Sequence, residues 1–281
     1  MIEKIAVLGA GQMGSGIAHV AALAGYQVEL VDVSTAQLEK AAVSIDGNLE
    51  RQLKKNLITA LEREKAKARI VYGDKVRHSA VQLVIEAVSE NITLKQQVLH
   101  HVIADINADC ILATNTSSIS ITQLAAATDR PEKVVGLHFM NPVPVMQLVE
   151  VIRGLATSDA TFEAMEKLVS RLNKTMVISK DYPGFIVNRI LMPMINEAIY
   201  ALYEGVATVE DIDIAMKLGT NQPMGPLALA DLIGLDTCLS IMQVLHRGFG
   251  DSKYRPCPLL INYVNAGWLG RKNGKGFYSY T

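Results

Sequence analysis

The sequence predicts an α/β protein, in which a doubly wound, mostly parallel sheet with a helical-hairpin insertion is followed by an all-α C-terminal domain. Three observations predict this fold. Short apolar runs alternate with segments of helical period up to about residue 180. A polar stretch early in this region carries two helix start signals and no strand. After residue 183 only the helical period remains, so we predict two domains, residues 1–182 and 183–281.

Apolar runs of strand length recur throughout the first domain. The first two of them, with a helix between them that ends at Gly25, form a βαβ unit over residues 4–32. The later runs alternate with helical segments, which is typical of a doubly wound parallel sheet. The strand-like runs are Ile5–Leu8, Val28–Val31, Ile70–Tyr72, Leu83–Val88, Cys110–Ala113, Val134–Leu137, Leu148–Ile152 and Thr175–Ile178.

The helices follow from apolar spacing and from start and stop signals. Ser34 and Thr59 are each followed three positions later by a partner for a capping box, Gln37 and Glu62. They open the two helices of the insertion, the first of which runs to about Asn56. The remaining helical segments are 92–105, 119–127, 158–172, 185–204, 208–218, 227–247 and 257–266.

Composition excludes several classes of protein. The chain has 281 residues, 49% hydrophobic and 20% charged, which excludes a disordered, collagen-like or disulfide-scaffold protein. Its 27 basic and 28 acidic residues give a net charge of -1, so no general attraction to nucleic acid or to an anionic membrane is expected. Three widely spaced cysteines, with no signal peptide, predict reduced core thiols in a cytoplasmic protein. No metal site is predicted.

A glycine-rich turn follows the first strand. Gly9-Ala10-Gly11-Gln12-Met13-Gly14 fits G-x-G-x-x-G, opens a helix, and is followed by Asp32 at the end of the second strand. In this context the pattern predicts a Rossmann-type dinucleotide site, with the pyrophosphate at the helix N-terminus. Asp32 would accept hydrogen bonds from a ribose and repel a 2′-phosphate, which favours NAD over NADP. The alternative is that Asp32 is an ordinary cap or surface residue.

A second group of polar residues follows two later strands. The segment Asn115–Ser118 comes directly after one strand, and His138 lies at the end of the next. Both therefore fall at the carboxyl ends of parallel strands, where open α/β sheets bind ligands. Imidazole, with an ordinary pKa of about 6.5, exchanges protons near neutral pH. His138 is the predicted acid–base residue.

Together these segments resemble the L-3-hydroxyacyl-CoA dehydrogenase family, and within it the short bacterial members that act on 3-hydroxybutyryl-CoA. The resemblance covers nearly the whole chain. Its motifs are Val7-Leu8-Gly9-Ala10-Gly11, Asn115-Thr116-Ser117-Ser118, His138-Phe139-Met140-Asn141-Pro142, Pro183-Gly184-Phe185-Ile186-Val187-Asn188-Arg189, Gly267-Trp268-Leu269-Gly270-Arg271-Lys272 and Gly274-Lys275-Gly276-Phe277-Tyr278.

The resemblance implies roles for individual residues. It pairs a catalytic His138 with Glu150 and places Ser117 and Asn188 against the reacting oxygen, with Ser117 also touching the cofactor. Each has a plainer interpretation: an ordinary strand carboxylate for Glu150, a helix cap for Ser117, and helix packing for Asn188. The residues that the resemblance places around the NAD ribose and nicotinamide are Glu90, Lys95, Asn141 and Lys272.

The helical insertion is basic. Residues 50–69 contain seven basic and three acidic side chains, a local excess of four positive charges. A solvated amphipathic hairpin is the default interpretation. Nucleic acid is disfavoured because no aromatic residue is interleaved for stacking. The phosphates of a coenzyme A tail fit such a surface, and the resemblance implies Asn48 and Lys55 as contacts, with Lys54 sharing the role.

The sequence therefore predicts an NAD-dependent oxidoreductase that interconverts (S)-3-hydroxybutyryl-CoA, or a related short 3-hydroxyacyl-CoA, and the 3-oxoacyl-CoA. A dehydrogenase of free hydroxy or sugar acids and a non-catalytic NAD-binding structural protein are the alternatives. Apolar residues on more than one face of the helices after residue 185 predict a homodimer formed through the C-terminal domain.

Overall fold

The computed structural model describes residues 2–77 and 80–280. The chain divides into two compact units, Met1–Tyr182 and Pro183–Thr281. The first contains the sheet and six α-helices of the described residues, and the second contains helices and short 3-10 turns. The predicted fold class is confirmed.

One eight-stranded sheet runs through the first unit, in the order β3-β2-β1-β4-β5-β6-β7-β8. The strands from β3 across to β6 are parallel, β7 is antiparallel to β6, and β8 is parallel to β7. The order reverses between β1 and β4, the point at which such sheets bind ligands beyond their carboxyl ends. The strands are β1 Lys4–Leu8, β2 Gln27–Val31, β3 Ile70–Gly73, β4 Leu83–Glu86, β5 Ile111–Thr114, β6 Val134–Phe139, β7 Leu148–Arg153 and β8 Thr175–Lys180.

Helices cover both faces of this sheet, so its central strands read as continuous apolar runs. β1, β4 and β6 are almost completely buried. The helices are α1 Gln12–Leu23, α2 Thr35–Lys54, α3 Ala60–Ala68, α4 Ile92–Ile103, α5 Ile121–Ala125 and α6 Asp159–Arg171. The insertion predicted between β2 and β3 is the hairpin of α2 and α3.

Of the two predicted capping boxes, one forms completely. Glu62 N donates to Thr59 Oγ1 (3.2 Å), and Thr59 N donates to Glu62 Oε2 (2.7 Å). At the start of α2, Gln37 N donates to Ser34 Oγ (3.3 Å), but the Gln37 amide donates to Ala10 O (3.1 Å). The start of α2 is thereby tied to the glycine-rich turn.

Two predicted boundaries are wrong. The strand expected to reach Val88 ends at Glu86, because Val88 N donates to the Glu86 side chain (2.7 Å) where a strand partner would stand. The helix expected over 227–247 is two helices that meet at 98°. Gly234 separates them with φ 101°, a value that favours glycine, although the apolar period continues across it.

The second unit packs its helices around a core of Met192, Ile195, Leu227, Leu235 and Met242, each at most 1% exposed. Its helices are α7 Val187–Tyr203, α8 Val209–Gly219, α9 Pro226–Ile233, α10 Leu235–Phe249 and α11 Pro258–Asn265. Within the described residues no single helix is both long enough and apolar enough to cross a membrane. Over the same described part of the chain, the bent pair of α9 and α10 is the one helix pair that reaches that length and composition together.

Candidate active site

The three glycines of the turn after β1 have different reasons to lack a side chain. A β-carbon at Gly14 would lie 1.8 Å from Gly9 O, and one at Gly9, where φ is 95°, would lie 2.8 Å from Ala87 O. A β-carbon at Gly11 would meet nothing within 4 Å. Packing therefore requires glycine at Gly9 and Gly14, whereas the space at Gly11 opens beside the N-terminus of α1. That open space fits a pyrophosphate, which needs close approach to the backbone.

Asp32 follows β2 and organises the same turn. Its Oδ2 accepts a hydrogen bond from Ala10 N (2.8 Å), and its Oδ1 accepts one from Ser34 N (2.8 Å). Asp32 therefore has the local capping role that the alternative interpretation gave it. Each carboxylate oxygen still has a second lone pair with which to accept from a ribose hydroxyl.

A cavity of about 720 Å³ lies against this turn. Its lining includes Gly11, Met13 and Asp32, together with the apolar residues Val88, Leu94 and Val98. The volume is in the range of cofactor sites, and mostly apolar walls with a few polar groups are typical of such sites. The open glycine, the helix N-terminus, Asp32 and the cavity together fit a dinucleotide.

Asp32→Ala is expected to lower the preference for NADH over NADPH at least about tenfold, a change of about 1.4 kcal/mol in relative binding free energy. Removing the carboxylate removes a ribose acceptor for NADH and a like charge that faces the 2′-phosphate of NADPH. Fluorescence titration with both nucleotides measures this ratio. If Asp32 only orders the turn, both affinities fall in parallel and the ratio stays unchanged.

His138 and Glu150 face each other across the antiparallel pair of β6 and β7. They are direct cross-strand partners, and His138 Nδ1 lies 2.6 Å from Glu150 Oε2. His138 is 6% exposed and Glu150 is 0% exposed. A carboxylate only accepts hydrogen bonds, so the imidazole proton is assigned to Nδ1 and Nε2 is the unprotonated nitrogen of the neutral ring. A base whose tautomer is set by a buried carboxylate has the arrangement of an acid–base catalyst.

Ser117 lies in the loop after β5, and Glu90 holds this loop. One oxygen, Glu90 Oε1, accepts from Thr116 Oγ1 (2.6 Å), Ser117 N (2.9 Å) and Ser118 N (3.0 Å), and from the hydroxyls of Ser117 (3.2 Å) and Ser118 (2.9 Å). Partial burial raises the pKa of Glu90, but the positive charge of Lys95 and these hydrogen bonds outweigh it and lower that pKa overall. Glu90 is therefore an ionised anchor for the loop.

Lys95 is buried and contacts Glu90 from the interior of the first unit. Its side chain is 1% exposed, and its Nζ contacts Glu86, Glu90 and the carbonyl of Val88. The remaining predicted cofactor residue of the first unit, Asn141, is exposed in the turn after β6.

Two predicted site residues belong to the second unit. Asn188 is in the first turn of α7 and is 8% exposed. Lys272, in a short 3-10 turn at Arg271–Asn273, forms an ion pair with Asp236 of α10.

The basic hairpin is partly neutralised by its own ion pairs. Arg63 lies 2.8 Å from Asp46 and 3.6 Å from Glu50, and Lys67 lies 2.9 Å from Asp46. The hydrogen bond from Lys67 lowers the pKa of the Asp46 carboxyl. The predicted excess of four positive charges over residues 50–69 therefore overstates the local charge, because Asp46 lies just outside that window.

The residues implied for coenzyme A lie toward the C-terminal end of α2. Asn48 Oδ1 accepts a hydrogen bond from the Arg51 guanidinium, and Lys54 Nζ lies 3.7 Å from Glu50 Oε1. Lys55 is exposed at the C-cap of α2 and has no ion pair within the described part of the chain. Lys55 is thus the more available of the two lysines for a phosphate.

The cysteines do not belong to the site. All three are buried free thiols. Burial raises the pKa of Cys110 to about 11 and that of Cys238 to about 12, so neither supplies a thiolate at neutral pH. No group of three or more His, Cys, Asp or Glu side chains within residues 2–77 and 80–280 could hold a metal ion.

Two further residues, Asn115 and Glu86, were given no individual role from the sequence, although Asn115 belongs to the polar segment Asn115–Ser118. Asn115 Oδ1 accepts from Phe139 N (2.9 Å) and joins the loop after β5 to the end of β6. Glu86 is a buried carboxylate at the end of β4. An acidic residue inside a predicted apolar run was the available signal, in Leu83–Val88 for Glu86 and in Leu148–Ile152 for Glu150.

Known protein families and known proteins match this chain over nearly its whole length. Residues 4–182 match the NAD-binding domain of 3-hydroxyacyl-CoA dehydrogenases, and residues 184–280 match the C-terminal domain. A 3-hydroxybutyryl-CoA dehydrogenase of Bradyrhizobium diazoefficiens is 60% identical, with 100% of this chain and 96% of that protein covered. A probable 3-hydroxybutyryl-CoA dehydrogenase of Bacillus subtilis is 54% identical, with 99% and 98% covered.

The fold is also similar to that of solved structures. The crystal structure of (S)-3-hydroxybutyryl-CoA dehydrogenase from Ralstonia eutropha has a TM-score of 0.95 and 49% identity, with both chains fully covered. The chain therefore belongs to the 3-hydroxyacyl-CoA dehydrogenase family of NAD-dependent oxidoreductases.

Proposed function

We propose that this protein interconverts (S)-3-hydroxybutyryl-CoA, or a related short 3-hydroxyacyl-CoA, and the corresponding 3-oxoacyl-CoA with NAD(H). The observation that carries the proposal is the 2.6 Å contact between His138 Nδ1 and buried Glu150, on the same edge of the sheet as the glycine-rich turn. The full-length similarity to 3-hydroxybutyryl-CoA dehydrogenases supports the substrate class.

His138 is the acid–base residue of this reaction. In oxidation, Nε2 takes the proton of the substrate hydroxyl, and in reduction it returns that proton to the oxygen. Glu150 holds the ring through Nδ1 and stabilises the imidazolium that forms. NAD, when bound, supplies the hydride acceptor, and this chemistry belongs to the cofactor rather than to the protein.

The other proposed residues bind and orient. Ser117 and Asn188 donate hydrogen bonds to the substrate oxygen, and this charge stabilisation favours the alkoxide-like transition state. The one hydroxyl proton of Ser117 turns from Glu90 to the substrate oxygen for this, while the Ser117 amide keeps its bond to Glu90. Glu90, Asn141 and Lys272 contact the ribose and nicotinamide of NAD. Gly11 and Asp32 hold the pyrophosphate and the adenosine ribose, as the open space at Gly11 and the Asp32 acceptors support.

The α2–α3 hairpin is proposed to hold the coenzyme A tail through Asn48, Lys54 and Lys55. Exposed Lys55 supports this role, because a helix C-terminus otherwise disfavours anions and a cation there offsets it. The ion pair of Lys54 with Glu50 makes Lys54 the lesser contributor.

Steady-state rates with acetoacetyl-CoA and free acetoacetate, each with NADH and NADPH, test the proposed substrate. We expect NADH-dependent turnover of the thioester and at least about 100-fold lower kcat/KM for the free acid, which lacks the tail contacts. Lys55→Ala should raise KM for the thioester about three- to tenfold with kcat unchanged. Lys65→Ala, the same charge change on α3, should leave KM unchanged.

Equal rates with the free acid would favour a dehydrogenase of free hydroxy acids instead. No turnover of any substrate, with NADH still bound, would favour a non-catalytic NAD-binding protein. Equal effects of the two lysine substitutions on KM would indicate that the hairpin attracts the substrate only through its general positive charge.

We also propose a homodimer formed through the C-terminal domain, in the cytoplasm. Exposed apolar side chains on the second unit support self-association, with Ile190 66%, Val206 72% and Leu218 80% exposed. Buried free thiols in both units support a reducing compartment. A single species of 30.5 kDa in sedimentation equilibrium would contradict the dimer.

A further inference from the structure

Glu86 is a buried carboxylate to which the reaction described above gives no role. It is the last residue of β4 and is 0% exposed. Both of its oxygens accept from Lys95 Nζ, at 2.8 and 3.0 Å, and it also accepts from Thr114 Oγ1 (2.6 Å) and Val88 N (2.7 Å). Four hydrogen bonds from three donor groups hold this buried carboxylate in a single orientation.

The ammonium group of Lys95 is held within the cluster that it forms with Glu86 and Glu90. An ammonium group has three N–H donors. Four oxygens already surround Nζ: the two of Glu86, Val88 O at 3.2 Å, and Glu90 Oε2 at 3.3 Å. With the side chain 1% exposed, its contact with any cofactor would have to displace one of these partners. Lys95 is therefore better placed to act through Glu90 than directly.

Glu90 connects this cluster to the catalytic loop. Its Oε2 faces Lys95, and its Oε1 accepts five hydrogen bonds from the segment 116–118, including those from the amide and hydroxyl of Ser117. The Glu90 side chain is 37% exposed. The chain of contacts Glu86–Lys95–Glu90 therefore leads from the buried end of β4 toward the surface of the site.

The positions of Glu86, Lys95 and Glu90 depend on one another because their charges are paired. A buried ammonium needs a paired carboxylate, and breaking a buried pair by removing one partner is strongly unfavourable. Without the charge of Glu86, Lys95 would draw Glu90 inward as its only remaining anion in the cluster. The donors of Ser117 and Ser118 would then lose their acceptor.

We propose that Glu86 is a positioning residue for the dehydrogenase reaction: through Lys95 it fixes Glu90, and through Glu90 it fixes Ser117. This inference rests on the proposed function, in which Ser117 contacts the substrate oxygen. Lys95 then serves the site by holding Glu90 in place.

Kinetics in two backgrounds test the proposal. Glu86→Gln keeps the shape of the side chain and removes its charge, and should lower kcat with acetoacetyl-CoA and NADH at least tenfold. In a Ser117→Ala background the same change should lower kcat less than twofold, because the hydroxyl through which it acts on the substrate oxygen is already gone. Glu29→Gln, another buried strand carboxylate of this sheet, should leave kcat unchanged.

A double variant separates positioning from stability. Glu86→Gln with Lys95→Met removes both buried charges and should recover most of the thermal stability lost by Glu86→Gln alone. The loss of kcat should persist, since Glu90 is no longer drawn inward but has lost the Lys95 contact that fixed its side chain. Wild-type kcat in the double variant, or an equal loss from Glu86→Gln with and without Ser117, would overturn the proposal.

Amide hydrogen exchange gives a readout that needs no substrate. Exchange at Ser117 and Ser118 should be at least tenfold faster in Glu86→Gln than in the wild type, whereas Glu29→Gln should leave it unchanged. Unchanged exchange in Glu86→Gln would overturn the inference. A wild-type protein that does not reduce acetoacetyl-CoA would instead overturn the proposed function, and the exchange result would still decide the positioning role.

Discussion

Replacing His138 by glutamine should lower kcat for the reduction of acetoacetyl-CoA by about 10²–10⁴-fold, the usual contribution of general acid–base catalysis. The glutamine amide can still donate to buried Glu150, so the buried carboxylate keeps a partner. It cannot exchange a proton near neutral pH. The affinity for NADH should change less than about twofold, because the glycine-rich turn and Asp32 are untouched. Stopped-flow turnover and NADH titration on one preparation measure both quantities.

Two substitutions serve as comparisons for His138→Gln. Glu150→Gln should lower kcat at least about 100-fold, because an amide facing Nδ1 no longer selects the tautomer that leaves Nε2 as base. His100→Gln, at an exposed position of α4, should have no effect. Full turnover by His138→Gln would exclude His138 as the acid–base residue.

Gly11→Ala and Gly14→Ala should separate cofactor binding from folding within one turn. At Gly14 the new methyl would lie 1.8 Å from Gly9 O, so we expect a loss of more than about 4 kcal/mol in the free energy of unfolding. At Gly11 the methyl meets no protein atom within 4 Å and φ is -67°. Gly11→Ala should therefore keep wild-type stability to within about 1 kcal/mol.

The effect of Gly11→Ala should appear in NADH affinity instead. A methyl in the space that fits the pyrophosphate should weaken binding at least about tenfold, or 1.4 kcal/mol. Thermal unfolding and NADH titration of both variants measure the contrast. Wild-type NADH affinity in Gly11→Ala would place the pyrophosphate elsewhere, and equal destabilisation of the two variants would contradict the different packing of these glycines.

The parts of the fold that depend on local periodicity were predictable. The βαβ unit at the start, the hairpin insertion and the change to helices alone near residue 183 all follow from apolar spacing and start signals. The single helix expected over 227–247 was wrong, because apolar period does not report the positive φ of Gly234. A helix break that depends on one backbone dihedral angle leaves the apolar period of the flanking residues unchanged.

The candidate site was predictable where residues lie at strand ends. His138 and Glu150 are twelve residues apart on strands joined by a proline-rich turn, and antiparallel register makes them direct partners. The environment of Lys95 was not predictable, because its contact with Glu86 depends on how α4 packs against β4. Likewise the charge of the basic hairpin was overestimated, since the pairs formed by Asp46 depend on the packing of α2 against α3.

The position of the proton on the His138 ring tests the proposed catalysis most directly. With ¹⁵N-labelled histidine, and His138→Gln for assignment, the nitrogen chemical shifts at alkaline pH report which nitrogen of the neutral ring carries hydrogen. We expect the proton on Nδ1, donated to Glu150, with Nε2 unprotonated in the wild type and this preference lost in Glu150→Gln. A wild-type ring protonated on Nε2 would contradict the role of Glu150 and leave His138 unable to accept the substrate proton at that nitrogen.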